Sequence, residues 1–182
     1  KRQEDNKLIY PGDKITVTKN TTLTAVYTNK PQTVTIKYHY NFTDKDGNYN
    51  DATFKDGNHP KNTNAIVKSL GEVGFKAPIG YEFLGWATAP DSNKIEYAAG
   101  DPVFVDANGE NNLYAVWQVK TYTVTYDLDG GEWTEATNEF PYEYKATVEV
   151  VKTVPTREGY KFSGWRSEEV TIENDAFTMP AK

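Results

Sequence analysis

The chain has 182 residues, enough for one domain or two small ones. Its 20 Lys and Arg against 26 Asp and Glu leave a net charge of -6, the opposite of the basic face that a nucleic-acid binder needs. The absence of cysteine removes disulfides, thiolate metal ligands and thiol catalysis together.

No run approaches the roughly 18 apolar residues that span a membrane, so no membrane insertion is expected. Residues 1–6 are polar and lack the apolar stretch of a signal peptide; an export signal is expected outside these residues. Aromatic residues nevertheless reach 14%, with 13 Tyr and 4 Trp, far from the aromatic-poor composition of disordered chains. Thr- and Tyr-rich sequences suit small β domains, because β-branched and aromatic side chains fit a pleated, half-buried surface.

In chain order, the first patterned strand covers residues 34–42. Val34, Ile36, Tyr38, Tyr40 and Phe42 alternate with Thr35, Lys37, His39 and Asn41, the period of two of a half-buried strand. Asp46-Gly47 supplies turn chemistry inside a long predicted loop, 43–64. Residues 65–70 read as a second strand, 81–86 as a third and 113–117 as a closing strand. The pattern then restarts: Tyr122, Val124, Tyr126 and Leu128 share one face, Asp129-Gly130-Gly131 turns, and 146–151 and 160–165 follow as strands. Residues 62–73 and 132–144 could each hold a turn or two of helix. No sustained 3.6-residue period supports more, so the fold is expected to be mostly β with at most one short helix per module.

The restart is an internal repeat. Leu23-Thr24-Ala25-Val26-Tyr27 matches Leu113-Tyr114-Ala115-Val116-Trp117 at an offset of 90, and Thr33-Val34-Thr35-Ile36 matches Thr123-Val124-Thr125-Tyr126 at the same offset. Gly80-Tyr81-Glu82-Phe83-Leu84-Gly85-Trp86 matches Gly159-Tyr160-Lys161-Phe162-Ser163-Gly164-Trp165 at 79. The stretch ending at Asp13 also resembles the one ending at Asp101. The expected organisation is therefore the C-terminal part of one repeat (1–29), a complete module (32–118) and a module without its closing strand (121–182). Lys30-Pro31 and Val119-Lys120 are the joints, too short to let modules swing freely. A spare closing strand at 23–27 and an open edge in the last module predict strand exchange between chains.

The opening strand at 122–131, the GYxFxGW blocks at 80–86 and 159–165, and the closing strands at 23–27 and 113–117 resemble the Listeria–Bacteroides repeat family, also called the internalin-type B-repeat. The resemblance covers nearly the whole chain. It implies tandem small β-grasp-like modules, with mixed and antiparallel sheets, on extracellular proteins of the bacterial cell surface or cell wall, mainly Gram-positive. It also implies a role as stalk, spacer or adhesion module. Physically, Tyr81, Phe83, Trp86, Trp117, Tyr160, Phe162 and Trp165 are expected to be core anchors of modules that have no disulfides. Burying a large apolar side chain contributes about 1.5–3 kcal/mol.

Chemistry-bearing residues are sparse. Asp44, Asp46 and Asp51 lie in an oxygen-rich stretch, but an EF-hand frame placing Gly47 at its sixth position would begin at Phe42, which cannot coordinate. They remain weak cation candidates beside the plainer reading of a solvated turn. His39 and His59 show no ligand spacing. No serine sits in a nucleophile elbow, and no glycine-rich phosphate loop is present. The expectation is a non-catalytic protein with no cofactor and no metal. It would serve as a stalk or spacer that presents an adhesive head. The alternative is an adhesin that binds a host or cell-surface protein or glycan directly, through Tyr49, Tyr142, Tyr144 and the 43–64 loop.

Overall fold

The computed structural model describes residues 8–29, 32–107 and 111–181, and the regular structure among them is all strand. The chain packs as two compact units, residues 1–31 and 32–182. The described residues of the first unit form no strand, but they contain a well-defined turn. Asp13 N donates to Tyr10 O at 3.0 Å, the Asp13 carboxylate accepts from Tyr10 N at 2.9 Å, and Gly12 between them has φ 97°. In the second unit Asp101 and Ala98 make the same two bonds, at 3.2 and 2.7 Å, around Gly100 with φ 93°.

The second unit opens with β1 (Thr33–His39), a small hairpin of β2 (Phe42–Thr43) and β3 (Tyr49–Asn50), then β4 (Thr53–Pro60) and β5 (Thr63–Ile66). β6 (Tyr81–Ala87), β7 (Pro102–Val105) and β8 (Asn111–Val119) complete the first repeat. Its main sheet has the order β4-β1-β8-β6, with β1 and β8 parallel at the centre and antiparallel strands outside them. The β5–β7 ribbon forms a second layer. Between the layers lie Ile36, Tyr38, Trp86, Val105 and Leu113, each at most 2% exposed. The alternation read in the sequence puts Ile36 and Tyr38 there.

The second repeat contains β9 (Thr121–Thr125), β10 (Glu139–Glu143), β11 (Thr147–Glu149) and β12 (Ala176–Thr178). β9 pairs with β10, and β11 with β12. Equivalent bonds fix the correspondence between repeats. Asn62 N donates to Val105 O as Lys145 N does to Met179 O, and Val67 N donates to Asp101 O as Val150 N does to Asp175 O. Tyr38 and Tyr126 occupy equivalent places, so the opening strands align at an offset of 88, not the 90 suggested by matching letters.

Three expectations are corrected. The predicted loop 43–64 is mostly strand, because β4 supplies the outer partner of β1. Neither 62–73 nor 132–144 forms a helix. In the first, Ser69 and Glu72 bond reciprocally, Glu72 Oε2 accepting from Ser69 N at 2.7 Å and from Ser69 Oγ at 2.6 Å. This resembles a helix-capping box, but Gly71 and Gly74 follow and the chain turns away after Phe75 N reaches Leu70 O. In the second, β10 takes the residues; Pro141 fits there because β10 is an edge strand and needs no donor on its outer side. Finally, 160–165 forms no strand, whereas its counterpart β6 is held by hydrogen bonds to β8. Among the described residues, no strand pairs with 160–165 in this way.

Among the described residues no helix is long and apolar enough to cross a membrane.

Candidate functional site

The repeated motif is built around one buried pair of rings. Trp86 meets Tyr38 edge-on at 4.8 Å and 70°, and Trp165 meets Tyr126 at 4.9 Å and 69°. In the first repeat the polar atoms of both rings converge on the backbone of Lys68. Trp86 Nε1 donates to Lys68 O at 2.9 Å, and Lys68 N donates to the Tyr38 hydroxyl at 2.9 Å. Burial pushes the Tyr38 phenol above its ordinary pKa of 10.0, more than the Lys68 hydrogen bond lowers it. Tyr126 repeats the acceptor role toward Val151 N at 3.1 Å.

The second glycine of the motif has a steric reason. A Cβ on Gly85 would come within 2.6 Å of Ile95 Cγ2 and 2.9 Å of Tyr97 O, and the adjacent Trp86 N bonds to that same Tyr97 O. The ladder between β6 and β8 shifts register at this point, between Phe83 and Gly85.

Of the anticipated anchors, Trp86 is fully buried, while Tyr81, Phe83 and Trp117 are half-buried. Trp117 fixes its indole by donating from Nε1 to Tyr40 O at 2.8 Å. In the second repeat Phe162 and Trp165 are half-buried and keep the ring geometry of Phe83 and Trp86, at 5.1 Å and 63° against 4.9 Å and 65°. Tyr160 is not a core residue. It is 69% exposed, with the Arg157 guanidinium carbon 4.3 Å from its ring centroid.

The first glycine of the motif marks a junction that the sequence did not reveal. Only Lys120 separates β8 from β9. Lys120 N donates to Gly80 O at 2.8 Å, and Tyr144 N donates to Lys120 O at 2.9 Å. The Tyr144 ring lies against Gly80, where any Cβ would overlap it, and meets Tyr81 edge-on at 6.1 Å. Tyr81 in turn packs on Phe42 at 4.8 Å. Two crossed ion pairs border this contact, Lys45 with Glu143 at 2.9 Å and Lys145 with Asp46 at 2.6 Å. The Asp46 carboxylate raises the pKa of Lys145 above its ordinary 10.5. Tyr144, read from the sequence as a surface residue, is thus a junction residue; Tyr142 is half-buried and Tyr49 is 59% exposed.

The three acidic candidates do not converge. Asp44 closes its own turn, accepting from Asp46 N at 2.9 Å, Asn48 N at 2.8 Å and Asn48 Nδ2 at 2.9 Å; the Asn48 bonds hold its carboxyl below the ordinary value of 3.8. Asp46 faces Lys145. Asp51 accepts from Asn41 N at 3.3 Å and bonds His39 Nδ1 at 2.8 Å. His39, assigned to the polar face of its strand, is only 6% exposed and stacks on Tyr114 at 4.4 Å. His59 lies in β4 beside Asp56, at 3.0 Å. Among the described residues, no three His, Asp or Glu side chains could together hold a metal ion.

Two successive β modules with one aromatic motif and a one-residue joint define a tandem-repeat protein. The family model described as the Listeria-Bacteroides repeat domain matches residues 35–116 and 122–181, and the chain belongs to this family. Internalin H of Listeria monocytogenes is 32% identical over 87 residues, 47% of this chain and 14% of that protein. A protein of Evansella cellulosilytica, whose name calls it a Gly-rich membrane protein, is 32% identical over 94 residues, 52% of this chain and 10% of its own length. A second from that organism, named as a membrane protein, is 31% identical over 94 residues and 13% of its length. The chain therefore spans between 10% and 14% of these relatives. No solved structure matches it.

Proposed function

We propose that the chain is a non-catalytic spacer segment of an extracellular bacterial surface protein, holding an adhesive region away from the cell wall. The observation that carries this reading is the junction of Gly80, Lys120 and Tyr144. It joins consecutive repeats through a single linker residue, two backbone hydrogen bonds and a ring packed on a glycine. In a repeat array each module touches only its neighbours, so fixed junctions turn module number into length. The central parallel pair β1/β8, flanked by antiparallel strands, supports a β-grasp-like reading of each module. The separation of Asp44, Asp46 and Asp51 onto different partners supports a structural use for them.

Small-angle scattering on a polypeptide repeating residues 32–182 in tandem tests the proposal. A maximum dimension that rises in proportion to module number is the expected result. Growth near the 0.38 power of chain length, as in compact domains, would overturn it. A directly binding adhesin is the second reading, favoured by the exposed Tyr49 ring, since tyrosine offers contact area at low entropy cost. A glycan and host-matrix array probed with wild type and Tyr49→Ala separates the two.

A further inference from the structure

The first repeat has a longer loop after its opening strand than the second. Tyr38 pairs with Phe54, sixteen residues on, whereas Tyr126 N donates to Asn138 O, twelve residues on. The longer stretch folds as the β2–β3 hairpin. In repeat proteins such insertions collect on one face, often the one that binds. The Asn41 side chain ties the hairpin to two other segments. Its Nδ2 donates to Ala115 O in β8 at 3.1 Å and to Pro90 O at 2.9 Å, and its Oδ1 lies 3.4 Å from the Tyr49 hydroxyl. The hydroxyl end of Tyr49 is thus held near the exposed Asp91, while the residue as a whole stays 59% exposed. Partial burial, and after it the charges of Asp51, Tyr114 and Asp91, raise the Tyr49 pKa above its ordinary 10.0. Tyr114 is half-buried, its ring stacked on His39.

The repeat itself does not require these side chains. Its core recurs, Tyr38 as Tyr126 and Trp86 as Trp165. The outer group does not: the residues matching His39 and Tyr114 in other copies are Asp127 and Thr24. Its chemistry narrows the ligand. A net charge of -6 opposes nucleic acid. Both Asp51 oxygens are committed, one to Asn41 N and one to His39, and among the described residues no three His, Asp or Glu side chains could hold a metal ion. A stable protein partner buries about 800 Å2 on each side, far more than one exposed ring offers. A neutral molecule with an apolar face and a periphery of hydroxyls fits. The face of a tyrosine ring packs on the apolar side, and an ionised carboxylate, which only accepts, takes hydroxyl protons. We propose that Tyr49 and Asp91, beside Tyr114, form a platform for a neutral glycan, with a sugar ring stacked on Tyr49 and its hydroxyls donating to Asp91. The proposal rests on the direct-binding reading above and names its ligand class.

Amide chemical shifts of the isotope-labelled 182-residue chain test this, in titrations with lactose, cellobiose, maltotriose and chitotriose and, separately, with the cation Nα-acetyl-lysinamide. The expected result is a saturable shift, confined to residues 49–51, 91–92 and 112–114, with at least one saccharide and none with the lysine probe. Tyr49→Ala should weaken that binding by about tenfold, and Tyr49→Phe should retain it, because the ring face carries the stacking. Tyr114→Thr, which installs the residue found at position 24, should also weaken it. An unchanged Trp86 indole signal in each variant shows that the core is intact. No response to any of the saccharides would overturn the proposal. So would binding that Tyr49→Ala leaves unchanged, or a response to the lysine probe alone. Host-matrix binding lost in Tyr49→Ala, with no saccharide response, would keep the direct-binding reading and remove the glycan.

Discussion

The ring of Tyr144 occupies the space beside Gly80 that a side chain at that position would need, so the second repeat is seated on the backbone of the first. Gly80 also has φ 78°, a left-handed conformation costing a non-glycine residue about 1–2 kcal/mol. Gly159 provides an internal control, with the same φ of 78° and nothing within 4 Å of its Cβ position. Gly159→Ala should lower stability by the conformational cost alone, while Gly80→Ala should lower it further and uncouple the repeats. Urea unfolding followed by amide exchange would show one transition in wild type and two in Gly80→Ala. Tyr144→Ala in the Gly80→Ala background should recover the steric part only, and a zero coupling in that double-mutant cycle would contradict the seating.

The two tryptophans of the motif should differ in weight. Trp86→Ala removes a fully buried ring and its hydrogen bond to Lys68 O, with an expected loss of about 3–5 kcal/mol. Trp165→Ala removes a half-exposed ring and should cost less. Tyr38→Phe leaves Lys68 N without its acceptor, a loss of about 1–3 kcal/mol. Chemical denaturation of the three variants checks the order.

Acid should loosen two turns before it unfolds the sheet. Hydrogen bonds from Asn48 lower the pKa of Asp44 below 3.8, and hydrogen bonds from Ser69 lower that of Glu72 below 4.5. A depressed carboxylate stabilises the fold fully above its unfolded-state pKa. That contribution disappears as pH falls through the folded value. Asp44→Asn and Ser69→Ala should therefore flatten the pH dependence of stability below about pH 4, measured as the slope of the unfolding midpoint against pH.

The junction should respond at the other end of the pH scale. Asp46 raises the pKa of Lys145, so the contribution of this pair is fully present below 10.5 and is lost as pH rises through the higher folded value. Lys145→Met should abolish the alkaline change. It should also reduce the salt sensitivity of amide exchange at residues 144–146, because the pair is exposed and screened by salt.

Much of the first repeat was legible because its signals are local. Alternation placed Tyr38 and Ile36 on the buried face, and the repeated GYxFxGW block drew attention to Trp86. Other features depend on partners distant in sequence. β4 contains Asp56, Gly57 and Asn58, which read as turn residues, and becomes a strand only because β1 offers an edge. The 160–165 stretch has the letters of β6, but among the described residues no strand pairs with it, and a strand needs a partner as well as a pattern. Tyr144 looked like a surface residue because nothing in its own vicinity signals Gly80, 64 positions earlier. The shift of the strand offset from 90 to 88 has the same origin, since contacts, not matching letters, identify Tyr126 as the counterpart of Tyr38.

The parallel pairing of β1 and β8 has a mechanical consequence. The chain enters the first repeat at the start of β1 and leaves it at the end of β8, and these strands lie side by side, joined from Ile36–Asn111 to His39–Tyr114. A pull applied through the neighbouring segments drags the two strands in opposite directions along their length. Their hydrogen bonds are then loaded together, in shear, and must break as a group. An antiparallel terminal pair would instead open one bond at a time, like a zipper. A module wired in this way meets extension from its two ends with all the bonds of its central strand pair at once.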